Sequence, residues 1–215
     1  MKKILIITFL TINFLFASTL SDLRITDDDF VKILYSSKKN FILDRINELM
    51  MLKKSLKNVD DDFTKLTSVN DLFNEYDFKS DMTVYKKNDY WASRKEFIFK
   101  GSGDCEDFVI AKYFTLLELG IDESKLSLLH NLHDNEYHLV LAYQEDQFSD
   151  VFILDNINKK ILPLTVRNDI LVLYTLKTID LNKAVDLTSD LQTLSNYKWT
   201  EIYLKSKNIR LKLVN

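Results

Sequence analysis

Apolar residues recur at helical spacing along the first part of the chain. Within residues 30–34 and 41–49 they lie three or four positions apart, among many charged residues. This spacing places apolar side chains on one side of an α-helix, and Thr26 or Asp27 is a suitable cap for the first one. The pattern predicts that residues 26–78 form a helical region with much exposed charge.

One long helix and two strands are predicted in the middle of the chain. Residues 105–119 are apolar on most sides, and the residues that bound them, Asp104 and Gly120, suit the cap and the final stop of a helix. Residues 137–143 and 151–155 are short runs rich in aliphatic and aromatic residues, which favour β-strands. Antiparallel pairing would bring the end of the second strand beside the start of the first.

The last part of the chain is predicted to contain a helix followed by a strand. Beyond Asp180 a helix-like run precedes residues 199–204, in which apolar and polar residues alternate as in a strand. Together the segments predict an α+β fold within a single globular domain. A helical region would cover residues 18–88 and the mixed core residues 89–215.

The first 17 residues have the pattern of a signal peptide. Lys2 and Lys3 give a positive start, residues 4–16 are almost wholly apolar, and residues 15–18 resemble a small-residue cleavage site. The apolar segment is shorter than the roughly 20 residues that a membrane-spanning helix needs. We therefore expect export from the cytoplasm and a mature protein, beginning near Ser18, that does not span the membrane.

Composition allows a substantial core and argues against nucleic acid as a partner. The 215 residues are 46% hydrophobic, enough for one or at most two domains with an apolar core. The 29 basic and 32 acidic residues are interspersed and give a net charge of -3. Nucleic-acid-binding proteins typically carry a basic patch or stripe, and this sequence has no block of one sign.

A lone cysteine follows two of the three glycines. Gly101 and Gly103 precede Cys105, so a segment that can turn tightly leads into the only thiol of the chain. At the first turn of the predicted helix, unpaired amides and the helix dipole favour a thiolate. A single cysteine cannot form a disulfide within the chain, and its polar neighbours do not suit a buried core residue. Cys105 is therefore the candidate nucleophile.

Three histidines are candidates for the base that such a nucleophile requires. His130 and His133 lie in a segment predicted as a polar turn, whereas His138 lies at the start of a predicted strand. A base on a strand has a fixed position, which proton transfer demands. Asp155 ends the partner strand, where it could orient His138 through a ring N–H. The sequence thus predicts that Cys105, His138 and Asp155 form a site for nucleophilic catalysis.

Four segments of the core carry the motifs of a known family. They are residues 103–113 (GDCEDFVIAKY), 138–143 (HLVLAY), 154–156 (LDN) and 167–170 (RNDI). These segments, within residues 89–174, resemble the bacterial transglutaminase-like cysteine proteinases, and among them the LapG-type adhesin proteases. The resemblance implies a papain-like, transglutaminase-like core in which a helix carrying the cysteine packs on an antiparallel sheet carrying the histidine and the acid. It implies that Cys105, His138 and Asp155 are the nucleophile, the base and the orienting acid.

The resemblance also implies a calcium site beside the nucleophile. Considered alone, Asp104 would be a helix cap and Glu106 a solvated acid of the first turn. Two carboxylates beside Cys105 should, however, raise the pKa of its thiol, and a bound cation would remove this conflict. In the LapG-type proteases the acids on either side of the cysteine bind calcium, so Asp104 and Glu106 are expected ligands. Asp150 or Ser149, just before the second strand, is a weaker candidate for a further ligand.

The resemblance finally implies a biological role. The protein is expected to be a periplasmic, calcium-dependent cysteine endopeptidase. Its substrate would be the N-terminal region of a large type 1-secreted adhesin, cut at a dialanine-type site, which would release the adhesin and promote biofilm dispersal. Its control would be sequestration by an inner-membrane cyclic di-GMP receptor of LapD type.

Alternatives from other classes stay open on the sequence. His130, His133 and His138 lie close together in the chain and could form the site of a zinc-binding hydrolase, although the cysteine would then have no role. The fold could also serve a non-enzymatic periplasmic binding protein. Acyl transfer to an amine, with the same nucleophile, is a variant of the enzymatic hypothesis and would give crosslinked products.

Overall fold

The N-terminal part of the described chain consists of three helices. A computed structural model describes residues 23–179 and 190–207, and the predicted signal peptide lies outside these residues. The helices are α1 (Asp27–Leu34), α2 (Lys39–Leu56) and α3 (Asp62–Asn74). Thr26 caps α1, because its side chain accepts a hydrogen bond from the backbone N–H of Asp29. The Asp29 carboxylate accepts one from the backbone N–H of Thr26. The helical prediction for this region is confirmed.

None of the described helices is suited to cross a membrane. The longest of them, α2, has 18 residues and carries charged side chains along its length. A bilayer span requires about 20 predominantly apolar residues. Within the described ranges, no helix is both long and apolar enough for this.

Short elements lead to the helix that carries the cysteine. They are β1 (Asp77–Phe78), α4 (Asp81–Val84), α5 (Arg94–Lys100), β2 (Ser102–Gly103) and α6 (Cys105–Glu118). Strands β1 and β2 form a small parallel pair. Asp104 occupies the cap position of α6, and Gly120 follows its end in a left-handed conformation with a φ of 85°. The helix predicted over residues 105–119 is confirmed to within one residue.

The other half of the core is a five-stranded antiparallel sheet. Its strands are β3 (Leu126–His133), β4 (Glu136–Gln144), β5 (Val151–Leu154), β6 (Leu162–Pro163) and β7 (Ile170–Thr175). They lie in the order β6-β5-β4-β3-β7, with every neighbouring pair antiparallel. Because Leu154 lies opposite Leu141, β5 ends beside the middle of β4, and Asp155 follows on the side where β4 starts. The two predicted strands and their antiparallel pairing are confirmed.

Helix α6 packs on this sheet and places the cysteine near the start of β4. On β4, Leu139 and Leu141 point into the main core with α3 and α6, while Val140 and Ala142 belong to a smaller apolar cluster. Alternate residues of a strand point to opposite faces, so the two clusters lie on the two faces of the sheet. Residues 106–116 of α6 are all buried. The fold is α+β, as predicted.

Residues 199–204 form a helix, so the strand predicted there is wrong. They belong to α7 (Leu191–Ser206), whose buried residues are Ser195, Trp199, Thr200 and Ile202. Intervals of three and four residues between buried positions fit a helix. The Trp199 ring packs edge-on against Tyr113 of α6, with centroids 5.0 Å apart. Packing against α6 therefore outweighs the local alternation of apolar and polar residues.

Candidate active site

The Cys105 thiol lies at the start of α6, between a carboxylate and a strand amide. It donates a hydrogen bond to Oε2 of Glu106 at 3.0 Å, and the backbone N–H of Leu139 on β4 donates one to the sulfur. Enclosure of the sulfur and the charges of Glu106 and Asp104 raise the pKa of the Cys105 thiol well above its usual value, whereas the Leu139 amide lowers it. With these carboxylates uncompensated, the thiol is held in its protonated form.

His138 and Asp155 form a hydrogen-bonded pair at the same end of the sheet. Nε2 of His138 lies 2.8 Å from Oδ1 of Asp155, and both side chains are buried. Because Nε2 faces the carboxylate, Nδ1 is the ring nitrogen left for proton exchange with another group. Leu139, whose amide contacts the Cys105 sulfur, directly follows His138 in the chain. The strand register therefore brings the histidine, the acid and the thiol into one region.

Arg167 holds the second oxygen of Asp155, a role that the sequence reasoning missed. Its Nη2 donates to Oδ2 of Asp155 at 2.6 Å and to Oδ2 of Asp169 at 2.7 Å, and the side chain is buried. Although burial opposes ionisation, hydrogen bonds from His138 and Arg167 hold the pKa of Asp155 well below its usual range. Asp155 is thus an ionised acid whose Oδ1 contacts His138 and accepts the Ile157 amide, while its Oδ2 accepts from Arg167. The available signal was the position of Arg167 within the family motif over residues 167–170.

Cys105 and His138 line a common cleft of about 480 Å³. The cleft walls also carry apolar side chains, of which Phe78, Met82 and Tyr137 are exposed to solvent. A concave site with apolar walls and a few polar groups is suited to binding a ligand. A nucleophile and a base that share such a cleft can act on a carbonyl group bound between them.

Three carboxylates converge beside Cys105. Asp81 opens α4, Asp104 precedes Cys105, and Asp107 lies in the first turn of α6; each offers an oxygen within 4.8 Å of those of the other two. One buried oxygen of each carboxylate has no hydrogen-bond partner in the part of the chain that the structure describes. Buried polar atoms are normally paired, and carboxylate oxygens are the ligands that calcium prefers. This carboxylate cluster therefore fits a divalent cation.

Gly103 makes room for one member of the carboxylate cluster. A Cβ at this position would lie 2.1 Å from Oδ2 of Asp107, a distance that Cβ contacts do not reach. The other oxygen of Asp107 accepts the amide of Ala92 at 2.9 Å. Burial raises the pKa of Asp107 to about 8, helped by the charges of Asp104 and Asp81 and opposed by the Ala92 amide. Gly103, which lies in β2, thus serves the carboxylate cluster, whereas the turn is made by Gly101, which follows α5 with a φ of 66°.

The structure separates the acids that the sequence suggested as calcium ligands. Asp104 belongs to the carboxylate cluster, and burial with its charged neighbours raises its pKa. Glu106 is buried with its carboxylate on the Cys105 thiol. Asp150 is exposed and precedes β5, at the end of that strand remote from Asp155.

Two members of the carboxylate cluster were missed by the sequence reasoning. Asp107 follows Asp104 by three residues, about one helical turn, so the motif itself contained a signal for a pair on one side of the helix. Asp81 lies in a different helix far upstream, and no local pattern marked it.

The other two histidines lie on β3, so the polar turn predicted around them is wrong. The His133 ring packs edge-on against His138, with centroids 5.9 Å apart, but the two histidines have different polar partners. The His130 ring stacks on Tyr174 with centroids 4.9 Å apart, and Nε2 of His133 lies 3.6 Å from Oδ2 of Asp169. Within the described chain, the carboxylate cluster is the only group of three or more possible ligand atoms this close together. The histidines therefore do not form the zinc site that their spacing in the sequence suggested.

Solved structures of LapG from Legionella pneumophila are similar to this chain. The calcium-bound form is 31% identical over 77% of this chain and 91% of the LapG chain, with a TM-score of 0.62. The EGTA-treated form is 32% identical over 77% and 89% of the two chains, with the same TM-score. No curated protein matched the chain.

A family model matches the part of the chain that contains these side chains. The model describes the bacterial transglutaminase-like cysteine proteinases (BTLCP) and matches residues 35–169, more than half of the chain. The matched segment includes Cys105, His138, Asp155 and the whole carboxylate cluster. The chain, whose motifs and structure are both similar to LapG, therefore belongs to the bacterial transglutaminase-like cysteine proteinases.

Proposed function

We propose that the protein is an endopeptidase with Cys105 as nucleophile, His138 as base and Asp155 as orienting acid. The observation that carries the proposal is the shared cleft. There the thiol contacts the strand residue that follows His138, and His138 is bonded to an ionised Asp155. Nucleophilic catalysis by a thiol requires this combination of groups. Membership of a cysteine proteinase family supports the same chemistry.

The side chains divide the steps of peptide hydrolysis among them. Nδ1 of His138 would take the proton of Cys105, and the sulfur would attack the carbonyl carbon of the substrate. The backbone amide of Cys105, at the start of α6, would donate to the developing oxyanion. The imidazolium would give its proton to the leaving amine as the C–N bond breaks. Water deprotonated by His138 would then hydrolyse the thioester and restore the thiol.

We also propose that calcium binds the carboxylate cluster. Three carboxylates supply both the charge and the oxygen ligands that this cation prefers, and each has an unpaired buried oxygen to offer. When bound, calcium would supply the positive charge that offsets Asp104 and favours the Cys105 thiolate. The calcium-bound form of the similar LapG structure supports this assignment.

Calcium affinity is expected to rise with pH. Burial raises the pKa of Asp107 to about 8, so the calcium-free folded state binds a proton that the unfolded state releases near pH 4. Without calcium, protonation of Asp107 therefore stabilises the folded state fully below about pH 4. This stabilisation is lost as the pH rises through about 8. Calcium would displace the proton, and affinity would rise about tenfold per pH unit for each proton released. Calorimetric titration at pH 5.5 and 7.5, in buffers of different ionisation enthalpy, measures affinity and proton release; equal affinity at the two pH values would contradict the expectation.

We propose, from the family resemblance, that the protease acts in the periplasm on the N-terminal region of a large secreted adhesin. Cleavage would release the adhesin from the outer membrane and promote biofilm dispersal. An inner-membrane cyclic di-GMP receptor of LapD type would control access to the substrate. The exposed apolar walls of the cleft are suited to an extended segment of polypeptide.

The test of this function is cleavage of the N-terminal segment of the large adhesin encoded in the same genome. The mature protein is expected to cut this segment in calcium and to leave it intact in EGTA. The reason is that the Cys105 thiolate forms only when calcium offsets the negative charge of the neighbouring carboxylates. Gel analysis and N-terminal sequencing of the new fragment identify the cut, and a segment with its dialanine site replaced is the control. Failure of folded, calcium-loaded protein to cut the segment would favour a non-enzymatic binding role. Crosslinked product would indicate acyl transfer instead.

A further inference from the structure

A fully buried lysine lies two helical turns beyond the nucleophile. Lys112 belongs to α6, seven residues after Cys105, and only 1% of its surface is exposed. Seven residues correspond to about two turns and about 10 Å, so the two side chains leave the helix on nearly the same side. Lys112 ends the GDCEDxxIAK block, yet the proposed mechanism gives it no role.

The Lys112 ammonium has three acceptors, and one is the backbone carbonyl of Asp155. Nζ lies 2.9 Å from Oδ1 of Asn70, 2.9 Å from Oδ1 of Asn74 and 3.1 Å from the Asp155 oxygen. An ammonium has three N–H donors, so each acceptor can have its own. Asn74 also donates from Nδ2 to the same carbonyl at 2.9 Å. One side chain of α6 and one of α3 thus donate to the same main-chain oxygen.

The Asp155 carbonyl lies just beyond the reach of the sheet. Strand β5 ends at Leu154, which is the last residue in its pairing with β4. The carboxylate of Asp155 is held by His138 and Arg167, as described above. Its side chain is therefore held by His138 of β4, by Arg167 from the segment between β6 and β7, and by the Ile157 amide. Its main-chain carbonyl is held by the two helices.

Burial of this ammonium is costly. Its three acceptors are neutral oxygens, and burial lowers the pKa of Lys112 to about 7 although the charge of Asp155 opposes the change. An apolar side chain would fill the same space without this cost. A residue needed only for packing would not have to be a lysine.

We propose that Lys112 is a positioning residue that ties Asp155 to the helix carrying the nucleophile. This rests on the catalytic roles proposed for Cys105, His138 and Asp155. Without Lys112 the carbonyl keeps only the Asn74 donor among the described residues, and Asp155 can shift together with the His138 ring bonded to it. A misplacement of about 1 Å can lower a catalytic rate on the order of 100-fold.

Lys112→Met tests the proposal with two measurements in saturating calcium. The first is peptide cleavage, for which kcat should fall about 10-fold to 100-fold while KM changes less than about threefold. The second is the pH dependence of alkylation by iodoacetamide, which reports Cys105 alone because the chain has no other cysteine. A displaced His138 and Asp155 pair stabilises the thiolate less, so the midpoint should move up by about one pH unit.

Two asparagines provide a matched comparison that changes less of the core. Asn70 and Asn74 both accept from Lys112 at 2.9 Å and both donate to a main-chain carbonyl, but Asn70 donates to Lys159 and Asn74 to Asp155. Asn74→Ala should lower kcat and shift the alkylation midpoint in the same direction as Lys112→Met. Asn70→Ala should lower thermal stability by a similar amount with a smaller effect on both readouts.

Lys65→Met is the control for loss of a buried lysine. Lys65 lies on α3 and approaches Asp62, which contacts Tyr143 at the far end of β4 from His138. The pH profile of alkylation of Lys65→Met should match that of the wild type. The proposal is overturned if Lys112→Met lowers the unfolding temperature but leaves kcat and the alkylation midpoint unchanged. If Lys112→Met does not fold, the same result with Asn74→Ala overturns it. If the wild type cuts no peptide, the proposed function fails, and the alkylation profiles still decide the role of Lys112.

Discussion

Replacement of Cys105 by alanine is expected to abolish peptide cleavage and leave the fold intact. Loss of the nucleophile removes the covalent pathway, so the rate should fall by at least about 10⁴-fold. The substitution removes one sulfur atom from a partly exposed position at the start of α6, and the free energy of unfolding should change by less than about 1 kcal/mol. The rate of fragment formation in saturating calcium and the unfolding temperature measure the two effects.

Two controls would show that the loss of cleavage does not come from lost calcium binding or from a general effect of substitution. Calcium affinity of Cys105→Ala should equal or exceed that of the wild type, because the carboxylate cluster is unchanged. A Ser127→Ala variant removes a hydroxyl from β3, opposite Ala142 and away from the cleft, and should keep the full rate. Cleavage by Cys105→Ala at more than about 1% of the wild-type rate would place the nucleophile elsewhere.

Replacement of Asp107 by asparagine is expected to weaken calcium binding by about 100-fold, because one of three ligand charges is lost. Asparagine has the same shape and can keep the hydrogen bond from the Ala92 amide, so the start of α6 should stay in place. Half-maximal cleavage should then require about 100-fold more calcium, with a similar maximal rate. Calorimetric titration and the calcium dependence of cleavage measure both quantities.

Asp150→Asn is the matched control for loss of one acidic charge. Asp150 is exposed and lies away from the carboxylate cluster, so its loss should leave calcium affinity unchanged. Glu106→Gln provides a second comparison, because the Glu106 carboxylate contacts the thiol and is not part of the cluster. If Asp107→Asn binds calcium as tightly as the wild type while Glu106→Gln does not, the ligands are those suggested by the sequence motif.

The fold could be predicted wherever local pattern and packing agree. Residues 105–119 are apolar nearly all round and are bounded by Asp104 and Gly120, and they form a buried helix whose ends fall at these residues. Residues 199–204 alternate locally like a strand, but Trp199 packs on α6 and the segment is helical. The choice there depended on a partner far away in the chain, which a local pattern does not reveal.

Some features of the candidate site could be predicted from local pattern, and others could not. The sequence predicted the pairing that brings His138 to Asp155, because two adjacent strands and their direction are enough to define it. Arg167 and Asp81 contribute through contacts with other segments of the chain, and the spacing of residues around them does not show these contacts. The turn before Cys105 was predicted from its two glycines and lies at Gly101, but the close approach of Asp107 to Gly103 depends on the path of the following helix.

The protonated state of Cys105 also bears on how the protein survives oxidants. Oxidants attack thiolates, and the rate of sulfenic acid formation follows the thiolate fraction. Because Glu106 holds the thiol proton and enclosure raises the pKa of Cys105, the calcium-free protein would react slowly with peroxide. Calcium binding would end this protection as it generates the nucleophile. The working lifetime of the enzyme in the presence of oxidants would then be limited by the time spent with calcium bound.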